Sequence, residues 1–296
     1  MTRKTAADFP QELLDLFDGY VHGGMNRRAF LRRAEKFAVG GVTAAMLLEM
    51  LRPNYALANQ IAPDDPRITT ETATVPSPEG NGRISGTLVR PAGTARLPVV
   101  LVVHENRGLN PYIQDVARRL AVANFIAFAP DALTSLGGYP GDDEKALDMF
   151  NRLDRAKMGQ DFLAAARWLQ GRPDGTGRLG AVGFCFGGMV VNQLAVQMGA
   201  ALGAGVPFYG TQPSAGEAVR IKAPINAQYA ALDTRITEGW PAYDAALTSA
   251  GVPHEGHVYG GANHGFHNDT TPRYDEAAAK EAWGRTLGWF ERYLRG

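Results

Sequence analysis

The chain has 296 residues, 45% hydrophobic and 20% charged, enough for one large α/β domain with an extension or for two smaller domains. Thirty basic and thirty acidic residues cancel, so no global electrostatic attraction draws the chain to nucleic acid or to an anionic surface. A single cysteine, Cys185, excludes an intrachain disulfide and a cysteine-rich zinc site.

The first sixty or so residues differ from the rest. Residues 10–20 read as a short amphipathic helix with Leu13, Leu14 and Phe17 on one face. Asn26-Arg27-Arg28-Ala29-Phe30-Leu31-Arg32-Arg33 then resembles a twin-arginine export signal. Residues 37–50 are mostly apolar but too short for a comfortable membrane span, and Ala56-Leu57-Ala58 fits a small-residue cleavage site. Against a signal stand Glu49 inside the apolar run and the long stretch before the arginine pair. The other reading is an ordinary retained helix over 27–51, packed on the body or on a second copy as a homodimer. The first reading places the protein in the periplasm, the second in the cytoplasm. The chain therefore divides into 1–59, a helical extension or signal, and 60–296, the main domain.

From residue 67 the pattern changes. Residues 68–75 and 83–90 alternate as strands around turn residues at 76–82, which predicts an antiparallel hairpin. Residues 97–104 are a buried strand, 111–123 a helix, and 125–129 a strand closed by Pro130-Asp131. A helix over 160–170 puts Phe162, Ala165, Ala166 and Leu169 on one side, and a strand at 179–182 follows. Further strands fall at 204–209, 223–229 and 255–259, and further helices at 240–249 and 274–294. Strands alternating with helices predict a mostly parallel twisted sheet covered on both faces, with ligands beyond the carboxyl ends of the strands.

Gly183-Phe184-Cys185-Phe186-Gly187-Gly188 stands at such an end. It fits the nucleophile elbow G-x-S-x-G with cysteine in the serine place. The flanking glycines remove Cβ atoms that would clash in a tight strand-to-helix turn, and the opening amides of the helix can bind developing negative charge. A thiol needs a base, and the base an orienting acid. Cys185, Asp233 and His264 occur in the order nucleophile, acid, histidine, each just after a predicted strand. Asp269 and Asp275 cannot follow that order, and His254 and His257 lie at or in a strand. His104 reads as a packing or capping residue. His264-x-x-His267 without a helical frame is poor metal spacing, so neither a metal nor a cofactor is expected.

These residues resemble the dienelactone hydrolase family, a branch of the α/β-hydrolases with a Cys-His-Asp triad. The resemblance covers roughly 67–294 and includes the elbow, Asp233, Asn263-His264-Gly265-Phe266 and His104-Glu105-Asn106-Arg107-Gly108. It implies an α/β-hydrolase fold. It also implies that Glu105 takes the thiol proton and that the amides of Asn106 and Phe186 form the oxyanion hole. Cys185 would attack an ester or lactone carbonyl; His264, held by Asp233, would protonate the leaving alkoxide and then activate water. Two arginines of the family pattern that hold a substrate carboxylate are missing, since Ala132-Leu133-Thr134-Ser135 and Asn268 stand there. Arg107 either substitutes or pairs with Glu105. The expectation is a hydrolase of small-molecule esters or lactones acting through a thioacyl intermediate. The alternatives are a carboxymethylenebutenolidase proper, and an acyltransferase or non-catalytic binding protein on the same scaffold. Tyr139, Tyr209 and Trp240 shape an acyl pocket or pack the core, and His267 is a candidate pocket residue.

Overall fold

A computed structural model describes residues 4–93 and 95–296. Its centre is one eight-stranded sheet: β1 (Ile68–Ser77), β2 (Gly82–Pro91), β3 (Leu97–Val103), β4 (Ile126–Asp131), β5 (Gly175–Phe184), β6 (Ala204–Phe208), β7 (Ile225–Ala230) and β8 (His254–Tyr259). The spatial order is β1-β2-β4-β3-β5-β6-β7-β8. The predicted hairpin is present, β1 pairing with β2 from Ile68 opposite Pro91 to Ser77 opposite Gly82. β2 also runs antiparallel to β4, and every pair from β4 through β3 to β8 is parallel.

Among the described residues, eleven α-helices precede, connect or follow these strands: α1 (Gln11–Val21), α2 (Arg27–Ala34), α3 (Ala44–Leu51), α4 (Pro111–Val122), α5 (Asp143–Asn151), α6 (Arg155–Gln170), α7 (Phe186–Met198), α8 (Ala215–Ala218), α9 (Thr234–Thr237), α10 (Trp240–Ser249) and α11 (Glu276–Leu294). The period of two in a strand sends alternate residues of β3 to opposite faces. Val99, Leu101 and Val103 join a core with Phe162 and Leu169 of α6, Val191 of α7 and Leu247 of α10. Val100 and Val102 join the other core with Tyr112, Val116 and Leu120 of α4 and Phe290 of α11. Helices on both faces explain why the central strands read as continuous apolar runs.

The N-terminal segment has a third core of its own, in which Leu13, Leu14 and Phe17 of α1 meet Phe30 of α2 and Leu48 and Leu51 of α3. The expected single helix over 27–51 is broken. Gly40 and Gly41 both take positive φ, +61° and +83°, between α2 and α3, and no right-handed helix continues through that backbone. The segment docks on the main domain of its own chain largely through polar contacts. Arg27, Arg52 and Tyr20 converge on Glu144. Arg273 pairs with Asp18 at 3.0 Å and lies over the Phe17 ring. No helix among the described residues is long and apolar enough to cross a membrane.

Candidate active site

The turn after β5 carries the nucleophile candidate. Cys185 has φ +56° and ψ −114°, a strained conformation for a residue with a side chain, and its amide donates to the Phe208 carbonyl at 3.0 Å. The neighbouring glycines are sterically required. A Cβ on Gly183 would strike the backbone of Gly187, one on Gly187 the carbonyl of Val103, and one on Gly188 the carbonyl of Phe208. The turn thus lies flat against β3 and β6 and lifts the sulfur to the carboxyl edge of the sheet, where it is partly exposed. Phe186 opens α7, so its amide belongs to the first turn and has no intrahelical acceptor.

Asp233 follows β7 and His264 follows β8, and both are buried. His264 Nδ1 lies 2.5 Å from Asp233 Oδ2. A carboxylate only accepts, so Nδ1 carries the hydrogen and Nε2 is the free basic atom. That Nε2 has no hydrogen-bond partner although it is buried. The rival groups are occupied elsewhere. Asp269 pairs with Arg119, Asp275 caps α11, His254 contacts Asp244, and His257 contacts Glu255. His104 is buried between the Glu105 carbonyl and the Ala132 amide, and burial lowers its pKa below the usual histidine value.

The atom that meets the sulfur comes from outside the predicted constellation. His22, the residue that ends α1, places Nε2 3.2 Å from Cys185 Sγ. Its Nδ1 faces the Asp18 carbonyl at 2.8 Å and the Asp18 carboxylate at 3.2 Å. Both partners only accept, so Nδ1 again carries the hydrogen and Nε2 points at the sulfur. The His22 and His264 rings meet edge to face, with centroids 4.5 Å apart. Burial disfavours the His22 cation most strongly, yet the charge of Cys185 and hydrogen bonds to Asp18 and Cys185 outweigh it against opposition from His264. The ring's pKa rises from 6.5 to about 9. Burial also works against the Asp18 carboxylate, but His22, His264 and Arg273 hold it well below the ordinary range. Only an aspartate and a histidine four apart at the end of an amphipathic helix signalled this pair in the sequence.

Glu105 is not hydrogen-bonded to Cys185. Its Oε2 accepts from Asn268 Nδ2 at 2.9 Å, so the asparagine standing where an arginine was expected holds the glutamate instead. Arg107 pairs with Asp143 at 3.7 Å and donates to Asn106 Oδ1 rather than meeting Glu105. A cavity of about 190 Å³ opens on the sulfur, lined among others by His22, Asn106, Phe186, Tyr209, Arg155 and His264. Tyr209 thus lies at the site, with its ring centroid 4.9 Å from that of His264. Arg107, Tyr139 and His267 do not line the cavity. Tyr139 packs edge-on against Tyr55 and donates to Asp143. His267 is stacked on Phe184 and bonded to Tyr112, and burial drives its pKa well below the usual value. Trp240 packs against Tyr229 in the core. A wider cleft of about 540 Å³ lies on the other side of His22, between α1 and the Asp233 and His264 loops. Among the described residues, one ligand-capable atom each of His22, Cys185 and His264 lies within 4.8 Å of the others.

A mostly parallel eight-stranded sheet, a nucleophile elbow after β5, and an acid and a histidine after β7 and β8 define an α/β-hydrolase. A family model described as the dienelactone hydrolase family matches residues 84–294, and a second, described as YqhI-like, matches residues 1–40. The chain belongs to the dienelactone hydrolase family and is a hydrolase of the ester-bond class. It is 30% identical over 249 residues to a putative carboxymethylenebutenolidase of Synechocystis, covering 77% of this chain and 99% of that one. It is 54% identical over 114 residues to YghX, a putative hydrolase fragment of Escherichia coli K12, covering 38% of this chain and 97% of the fragment. The crystal structure of a putative dienelactone hydrolase from Klebsiella pneumoniae matches with a TM-score of 0.68 and 29% identity over 76% of this chain and 99% of that chain.

Proposed function

We propose that the protein is a cysteine-dependent hydrolase of small carboxylic esters or lactones. The observation that carries this reading is the Cys185 sulfur, raised on a positive-φ turn at a cavity edge, beside an imidazole that a buried carboxylate orients. Cys185 attacks the carbonyl, and the amides of Asn106 and Phe186 receive the oxyanion. One such donor is typically worth on the order of 10²–10³ in rate. The carbon–oxygen bond breaks to give a thioester, and the leaving alkoxide departs as an alcohol with the proton that the thiol gave up. His264, held by Asp233, then takes a proton from water, which attacks the thioester and releases the acid.

A carboxylated lactone, the substrate of a carboxymethylenebutenolidase proper, is the second reading. It is favoured by Arg155, which lies over Phe150 and Phe186 at the cavity wall and presents a cation there. The test is turnover of a p-nitrophenyl ester series beside a carboxylated enol lactone. Cys185→Ala is expected to abolish hydrolysis of all of them, and retained activity moves the nucleophile elsewhere. Arg155→Ala is expected to lower turnover of the lactone alone if the second reading holds, and of neither class preferentially if the first does.

A further inference from the structure

We propose that the N-terminal helix completes the catalytic centre: His22, oriented by Asp18, takes the thiol proton of Cys185 and keeps the resting site as an imidazolium–thiolate pair. The inference rests on Cys185 being the nucleophile and assigns the group that activates it.

Three groups could ionise the thiol, and the geometry separates them. Glu105 is engaged by Asn268, His264 Nε2 has no hydrogen-bond partner, and His22 Nε2 is hydrogen-bonded to the sulfur at 3.2 Å. The surroundings of His22 favour its cation on balance. From α1 itself come the Asp18 carboxylate and the negative end of the helix dipole, because His22 stands just past the last turn. From the elbow comes the thiolate. The loop after β8 contributes His264, which opposes, and Arg273, which pairs with Asp18. Arg235 and Asp233, next to β7, form a further pair of opposite charges on the far side, Arg235 also reaching Asp18 at 3.8 Å.

Two of the contacts that dock α1 are made by neighbours of the catalytic groups. Asn106, whose amide is assigned to the oxyanion hole, donates its side-chain amide to the Val21 carbonyl one residue before His22. Asn263, one residue before His264, accepts from Gln11 at 2.7 Å. The end of the helix that carries His22 is thus held in part by the machinery it serves.

The proton balance is simple. The S–H proton moves to His22 Nε2, and the electron pair stays on sulfur. Attack forms the C–S bond and places the carbonyl pair on oxygen. When the C–O bond breaks, the leaving alkoxide takes the proton from His22. Water, deprotonated by His264, then attacks the thioester, the C–S bond breaks to thiolate and the carboxylic acid leaves; the proton on His264 is released to solvent and His22 Nε2 takes one up, which restores the resting imidazolium–thiolate pair.

The test is an ultraviolet titration of thiolate in the full-length protein, with Cys185→Ala as the blank for the only cysteine. Wild type is expected to show thiolate at neutral pH. His22→Gln, which can still hydrogen-bond but cannot take a proton, is expected to reduce it to the few per cent of an ordinary thiol, a loss of at least about tenfold. His264→Asn is expected to keep the thiolate while losing ester turnover, and Asp18→Asn, with its ring contact intact, to shift the titration in the direction of His22→Gln. A melting transition checks that each variant is folded, and Asp18→Asn decides if His22→Gln is not. An unshifted titration in the folded His22 variant, or one that moves only in His264→Asn, overturns the proposal. If Cys185→Ala still hydrolyses esters while the titration behaves as expected, the assignment of Cys185 as nucleophile fails and the pair stands.

Discussion

Two imidazoles flank one sulfur, each with Nδ1 fixed on an aspartate, and only one touches the thiol at rest. The elevated His22 pKa has a consequence for stability. A group whose folded pKa lies above its unfolded value contributes stability that is complete below the unfolded value and lost as pH rises through the folded one. For His22 that window runs from 6.5 to about 9. The thiolate partner gives up the proton that His22 gains, so near neutral pH the proposed pair binds no more protons than the neutral histidine and thiol of the unfolded chain. Urea unfolding of the full chain is expected to show little slope there, with stability falling only as the imidazolium is lost near 9; a steep fall from pH 6.5 upward would show a His22 cation with no thiolate beside it. The residues after β5, β7 and β8 were legible in the sequence because the elbow motif and the chain order fix their places independently of packing. His22 was not, because it meets Cys185 across 163 residues and its segment also read as an export signal.

At the scale of elements, the elbow has no room for a Cβ on any of its three glycines. Gly187 lies so close to β3 that a methyl group would run into the Val103 carbonyl, backbone that cannot swing away. Gly187→Ala is expected to cost on the order of 1–3 kcal/mol in unfolding free energy and to displace the sulfur, so that esterase activity falls by more than the fraction unfolded. A variant with unchanged melting and kinetics would show that the turn is less constrained than its contacts indicate. The sheet and its covering helices were legible for the same reason that the elbow is: buried parallel strands carry long apolar runs. α5 escaped because nine residues give little periodicity to read, although Asp142 caps it and Ala146, Met149 and Phe150 are buried. The break between α2 and α3 escaped because the apolar run on either side outweighed two glycines.

Across the whole molecule, a buried charge network joins the linker after α3, α4 and the loop following His264. Asp115 pairs with Arg118 and Arg119 and accepts from the Ile61 amide; Arg119 reaches Asp269 at 2.6 Å, and Arg118 donates to the carbonyls of Ala58 and Ile61. Removing the shared acid leaves two guanidinium groups buried with too little opposite charge. Asp115→Ala is therefore expected to lower unfolding free energy by about 3–5 kcal/mol, read as a fall in melting temperature. A loss below about 1 kcal/mol would show that the network tolerates its missing centre.

The carbonyl of Ala58 that Arg118 grips belongs to the stretch shaped like a leader-peptidase site, and Ala58 is 1% exposed. While docked, Ala58 itself is buried, though Leu57 and Asn59 on either side are exposed. If the peptide were severed there before docking, the mature fragment would lose His22 along with its leader and would have to activate its sulfur with Glu105 or His264 alone. Trimming at the amino end would then convert one catalyst into another.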